Sequence, residues 1–216
     1  MSLSRPPAPC PRRTAQCLAL ALVLVPLLFG IAMACFPGGY SFSRHVVSDL
    51  GRTRLGDGSP NTLSCALFAI AMSVTGISCS LFWLTRHTFL SHPRSRRAAL
   101  LCGLAMSVLM VAIGFTPLNL AAQLHDPITA ATAITAALAV LALFCDPADR
   151  LERPRVKRAW LVHMSGVSAV WAALVALHHE HVLAFRPWLP LGQKLLIATF
   201  IAWMGYQATL LFKAES

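Results

Sequence analysis

Six apolar runs divide the chain, at 17–36, 62–84, 98–117, 127–145, 159–178 and 191–212. Each is close to the length of about 20 residues that a helix needs to cross the hydrocarbon core of a bilayer. Backbone groups placed in hydrocarbon must bond within their own segment, so the runs predict helices. The strict in-out alternation of a membrane barrel is absent. The pattern therefore predicts an all-α, polytopic bundle of six transmembrane helices over 17–212. A proline-rich, basic, disordered tail is expected over 1–16 and a short tail over 213–216.

Local signals mark the helix ends. Asp126-Pro127 reads as N-cap and first residue of the fourth helix, and Ser59-Pro60-Asn61 does the same for the second. Pro26 lies inside the first run. Gly103 and Ser107 form a small-xxx-small pair that permits close helix approach. Lys194 is near enough to the end of its run to snorkel to the interface.

Composition agrees with a lipid environment. The chain is 56% hydrophobic and 12% charged, against about 25% charged in a soluble domain. The net charge of +10 would raise nucleic-acid binding as an alternative, but the placement of the cations accounts for it. Arg5, Arg12, Arg13, the loop from Arg86 to Arg97, the loop from Arg150 to Arg158, and Lys213 all fall on one side. Only Arg44, Arg52, Arg54, Arg186 and Lys194 fall on the other. The positive-inside rule then predicts a cell-membrane protein with both termini cytoplasmic and no nucleic-acid partner. The N-terminus also reads as a secretory signal, with Ala32 and Ala34 before Cys35 as a cleavage pattern. The other five spans keep their orientation in either case. The seven cysteines show no zinc-finger or redox spacing; Cys35 and Cys65 alone would share the outer surface.

This topology sorts the polar chemistry. His45, Ser48 and Asp49 fall in the first outer loop, His125 and Asp126 in the second, and His178, His179, Glu180 and His181 in the third. His87 and His92 lie in an inner loop, and His163 just inside the fifth span. Helical spacing would align Ser41, His45 and Ser48, place Asp49 within hydrogen-bonding reach of His45, and make Gly51 a helix stop. Three imidazoles from three loops, here His45, His125 and His178 or His181, are a donor set for zinc, which would activate water. Asp49 would then orient that water or take its proton, and Ser41 or Ser48 would contact the transition-state oxygen. The alternative is a structural polar cap at headgroup level. No HExxH, nucleophile elbow or phosphate loop is present.

Particular residues carry a family resemblance. "HVVSDLG" (45–51) after the first span, "GFTPLN" (114–119) closing the third and His125 soon after resemble the bacterial six-helix membrane family catalogued as domain of unknown function 998. The likeness runs from the first span to the last and implies the fold without an activity. More distantly, Ser41-x-x-x-His45 resembles an element of the alkaline ceramidase and progestin-receptor-like membrane hydrolases. That likeness implies zinc and cleavage of a lipid amide. This chain departs from those hydrolases in its six spans and in "HHEH" where they carry His-x-x-x-His. Three functions stay open from sequence: a membrane component with lipid as its partner, a zinc-dependent lipid hydrolase at the outer leaflet, and a small-solute transporter.

Overall fold

The computed structural model describes residues 10–179 and 188–214, and the side chains of 177–179 fall outside that description. Six helices are present: α1 (Pro11–Ala34), α2 (Thr62–Arg86), α3 (Pro93–Gly114), α4 (Ala122–Phe144), α5 (Pro154–His179) and α6 (Trp188–Lys213). All six are long and apolar enough to cross a membrane. Exposed apolar side chains on successive helices, among them Leu20, Val23, Ile70, Ile77, Leu101, Val108, Ile134, Val162 and Val170, form the surface that lipid must cover.

Each odd-numbered helix starts on a proline, Pro11, Pro93 or Pro154, where the fixed φ suits the first turn and the missing N–H costs nothing. α1 therefore begins six residues before its apolar run. Arginines and lysines follow each of these prolines within the first turns. Cations at a helix N-terminus oppose the macrodipole by about 0.3–1 kcal/mol each, so helix stability does not explain them. α4 begins at Ala122, which corrects the expected cap: Pro127 lies inside the helix and Asp126 is exposed on it. α2 is capped at Asn61 and not at Ser59; the Asn61 amide instead donates to the carbonyls of Leu50 and Arg52.

Neighbours in sequence pack together from α1 to α4; α6 packs on α1 and α5, while α5 meets α4 only lightly. α2 and α3 approach most closely through small residues. A Cβ on Gly76 would lie 2.5 Å from the Ser107 carbonyl oxygen, and one on Gly103 would run into the Trp83 indole. Two apolar cores result. One, around Phe82, Trp83, Met106, Leu143, Trp203 and Leu211, fills the end that bears the termini. The other, around Ala32, Phe36, Val47, Leu50, Phe68 and Ile113, fills the opposite end. The long loop 35–61 belongs to that second core. It turns at Gly38 and Gly39 (φ 71° and 86°) and passes through a 3-10 turn at Val47–Gly51 with Leu50 fully buried. Gly51 is not a helix stop: the Phe68 ring lies against it where a Cβ would be.

At the terminus-bearing end, Arg86 is wholly removed from solvent. Its two terminal nitrogens grip Asp149 at 3.0 and 2.5 Å, and its Nε donates to Gln207 Oε1 at 3.0 Å. Gln207 Nε2 donates to Glu152 Oε2, and Lys157 Nζ donates to the Asp146 carbonyl and stands 3.4 Å from Asp149. The Asp146 carboxylate accepts from the backbone N–H of His92 and Ala148. This knot joins α2, the start of α3, the 145–153 loop, α5 and α6. Breaking such a pair by removing one partner typically costs about 3–5 kcal/mol. Arg86 and Lys157 are thus spent inside the protein and are not free surface cations.

Gly76→Val should destabilise the protein by about 1–3 kcal/mol, seen as a lower thermal unfolding midpoint in detergent. The Ser107 carbonyl that opposes a new side chain is backbone and cannot swing away. Glu152 gives a second expectation. Burial raises its carboxyl above the usual range, helped by Asp149 and opposed by Gln207, Arg86 and Lys157. A raised carboxyl binds protons more tightly in the folded state, so its contribution is complete below the unfolded value. It is lost as pH climbs through the folded one. Glu152→Gln should flatten the fall in stability over that window, measured as unfolding midpoint against pH.

Candidate functional site

At the end opposite the termini, loop 35–61 is clamped onto α6 by two adjacent residues. Gln193 Oε1 accepts the Val47 N–H at 2.8 Å. Lys194, 9% exposed, donates to the His45 carbonyl at 2.6 Å and to the Pro190 carbonyl at 3.3 Å. Its ammonium also sits 4.7 Å from the Phe42 ring centre and 5.3 Å from that of Tyr40, a favourable cation–π distance. It does not snorkel to water. Tyr40 donates to the same His45 carbonyl, and burial together with the nearby Asp49 carboxylate pushes its hydroxyl well above the usual value.

The loop side chains are largely occupied in shaping the loop. Residues 41–46 form turns, not a helical extension. Asp49 accepts the Val46 N–H at 3.0 Å and the Arg52 Nε at 2.8 Å, so it closes the 3-10 turn and does not bond His45. Ser41 Oγ accepts from Arg44. The Ser41 N–H donates to His45 Nδ1 at 2.9 Å, which leaves the ring proton on Nε2; that nitrogen would have to shed it to hold a metal. The His45 ring is packed between Phe36 and Tyr40.

His125 is wired the opposite way. It is buried, and its Nδ1 lies 2.6 Å from the Thr116 carbonyl oxygen. A carbonyl only accepts, so Nδ1 is the donor and Nε2 keeps its lone pair. His125 lines a cleft of about 200 Å³ between α4, α5, α6 and the loop. The polar members of its lining are Ser48, Asp126, Thr129, Trp171 and Gln193; the walls are Val46, Leu118, Val175 and Leu189. Ser48 is the one proposed catalytic residue that reaches this cleft; Ser41, His45 and Asp49 are not among its lining. Among the described residues no group of three or more His, Cys, Asp or Glu is placed to hold a metal ion. His178 is the next-to-last residue of α5, with its side chain undescribed, and His181 lies outside the described residues. Cys35 and Cys65 are free thiols. His163 sits beside Trp160, 3.4 Å from Thr199 of α6. Because α5 starts at Pro154, His163 is further along its helix than the apolar run implied.

Two polar atoms of cleft-lining side chains stand out. Thr129 Oγ1 and Trp171 Nε1 are buried and have no hydrogen-bond partner among the described residues. Thr132 and Thr135, further along the same helix, bond back to the carbonyls of Ile128 and Ala131. Thr129 does not. Gln193 spends its oxygen on Val47, which leaves its amide nitrogen for the cleft. Sequence reading missed Thr129, Trp171 and Gln193. Each lies within an apolar run, and only the fold brings them to one cleft with His125.

No curated protein and no solved structure matches this chain. One family model does match, over residues 18–209, and it reaches all six helices. The six helices agree with that match, and the chain belongs to the family described as Protein of unknown function (DUF998).

Proposed function

We propose that this multi-pass membrane protein binds an amphipathic molecule in the cleft between α4, α5, α6 and loop 35–61. The observation that carries the proposal is a pair of buried atoms, Thr129 Oγ1 and Trp171 Nε1, without hydrogen-bond partners among the described residues, in two side chains that line that cleft. An unsatisfied buried donor or acceptor costs about 1–3 kcal/mol. A ligand that pairs with both recovers that cost, which gives binding a local driving force. The apolar walls suit a hydrocarbon chain, and the polar groups suit a small headgroup. The distribution of lysine and arginine supports an outer-leaflet position for this end.

Val175→Trp should fill the cleft from α5 without touching either core. Native mass spectrometry of the protein released from membrane should show a retained lipid on the wild type and its loss from the variant. Equal retention by both removes the cleft as the site. The leaflet assignment has its own test. In a cysteine-free background, a membrane-impermeant maleimide should label Arg44→Cys from outside intact cells and Arg155→Cys only after the inner face is opened. Labelling of both from one side contradicts the orientation.

A further inference from the structure

The carboxylates differ in one respect. Asp49, Asp57, Asp146, Asp149 and Glu152 each accept hydrogen bonds from nearby donors. Asp126 is the described carboxylate with no bonded donor and no ion pair among the described residues. It stands at the cleft beside His125, whose Nε2 is likewise an open acceptor. The described lining contains no lysine or arginine. Among the described residues, cations of the loop and of α6 are already engaged: Lys194 with the carbonyls of His45 and Pro190, Arg52 with Asp49, and Arg44 with Ser41. The cleft thus offers one carboxylate and one imidazole acceptor. Ser48 and Thr129 hydroxyls can act either way, and Trp171 and Gln193 supply donors.

From this inventory we infer that the cleft selects a single-chain amphiphile whose headgroup carries a primary amine, with the ammonium facing Asp126 and His125. The inference rests on the cleft being a ligand site at all. A phosphate or carboxylate headgroup would meet Asp126 with like charge and would find no cation among the described lining residues to neutralise it. A neutral hydroxyl headgroup could bond Thr129 and Trp171 but would leave the Asp126 carboxylate unpaired. The ammonium brings three donors to Asp126, His125 Nε2 and the Thr129 hydroxyl; Trp171 Nε1, itself a donor, pairs with an oxygen elsewhere on the headgroup or with a water.

The test uses the full-length protein in a nonionic maltoside micelle near neutral pH. Three probes share a dodecyl-length chain: dodecylamine, monododecanoylglycerol and dodecyl phosphate. Each is titrated while the thermal unfolding midpoint is followed, because a ligand that binds the folded state raises it. The expected result is that dodecylamine raises the midpoint at the lowest concentration. Asp126→Asn should weaken that response by on the order of fivefold, the scale of a partly exposed ion pair, and leave the unliganded midpoint unchanged because Asp126 is exposed. Thr129→Val should weaken the responses to dodecylamine and the glyceride alike. If the glyceride or the phosphate acts at the lowest concentration, or if dodecylamine acts equally on Asp126→Asn, the amine selectivity is overturned while the cleft stands as a site. If none of the three moves the wild-type midpoint, both the selectivity and the ligand site fall.

Discussion

Hydrocarbon neither donates nor accepts hydrogen bonds, so every polar group carried into this bundle must find its partner inside the protein. Most do. Ser73, Thr75 and Ser107 return their hydroxyls to carbonyls one turn back. Thr14 of α1 and Thr85 of α2 bond each other. Arg86, with no exposed surface, is surrounded by Asp149 and Gln207, and Lys194 is held by two carbonyls and two aromatic faces. The constraint sets both ends of the molecule. One is tied by ion pairs and hydrogen bonds that join α2, α5, α6 and the start of α3, the other by a loop folded in as part of the core.

Against that rule the exceptions carry information. Trp83 and Trp203 also keep unpartnered indole nitrogens, but those lie in the packed core at the terminus-bearing end, in mutual ring contact. Thr129 and Trp171 differ because they border open volume, beside a histidine whose tautomer is fixed by a backbone carbonyl. α5 leans on α6 and barely touches α4, which is why the gap exists. The loop clamp by Gln193 and Lys194 supplies the remaining wall by setting Val46 and Ser48 in place.

The helices were legible in the sequence because a bilayer imposes one length on every crossing and tolerates few charges. Their starts were less legible. Prolines and arginines extend α1, α3 and α5 beyond the apolar runs, and Asp126-Pro127 has the residue types of a cap while sitting inside α4. The Arg86 knot was not legible, since it pairs residues 63 and 121 positions apart. Side counting treated its members only as surface charge. At the site, Ser48 and His125 could be named from sequence because their types and their end of the bundle were readable. His45 and Asp49 had the right types too, but backbone N–H groups within their own turn claim them. Spacing alone could not reveal that competition.

A density map of the protein in a lipid nanodisc, at a resolution that shows side chains, bears most directly on the cleft. Elongated density should enter between α4 and α5, with its head within hydrogen-bond distance of Thr129 Oγ1 and Trp171 Nε1. A cleft closed by α5 packing onto α4, with both atoms bonded to protein groups, would contradict that expectation.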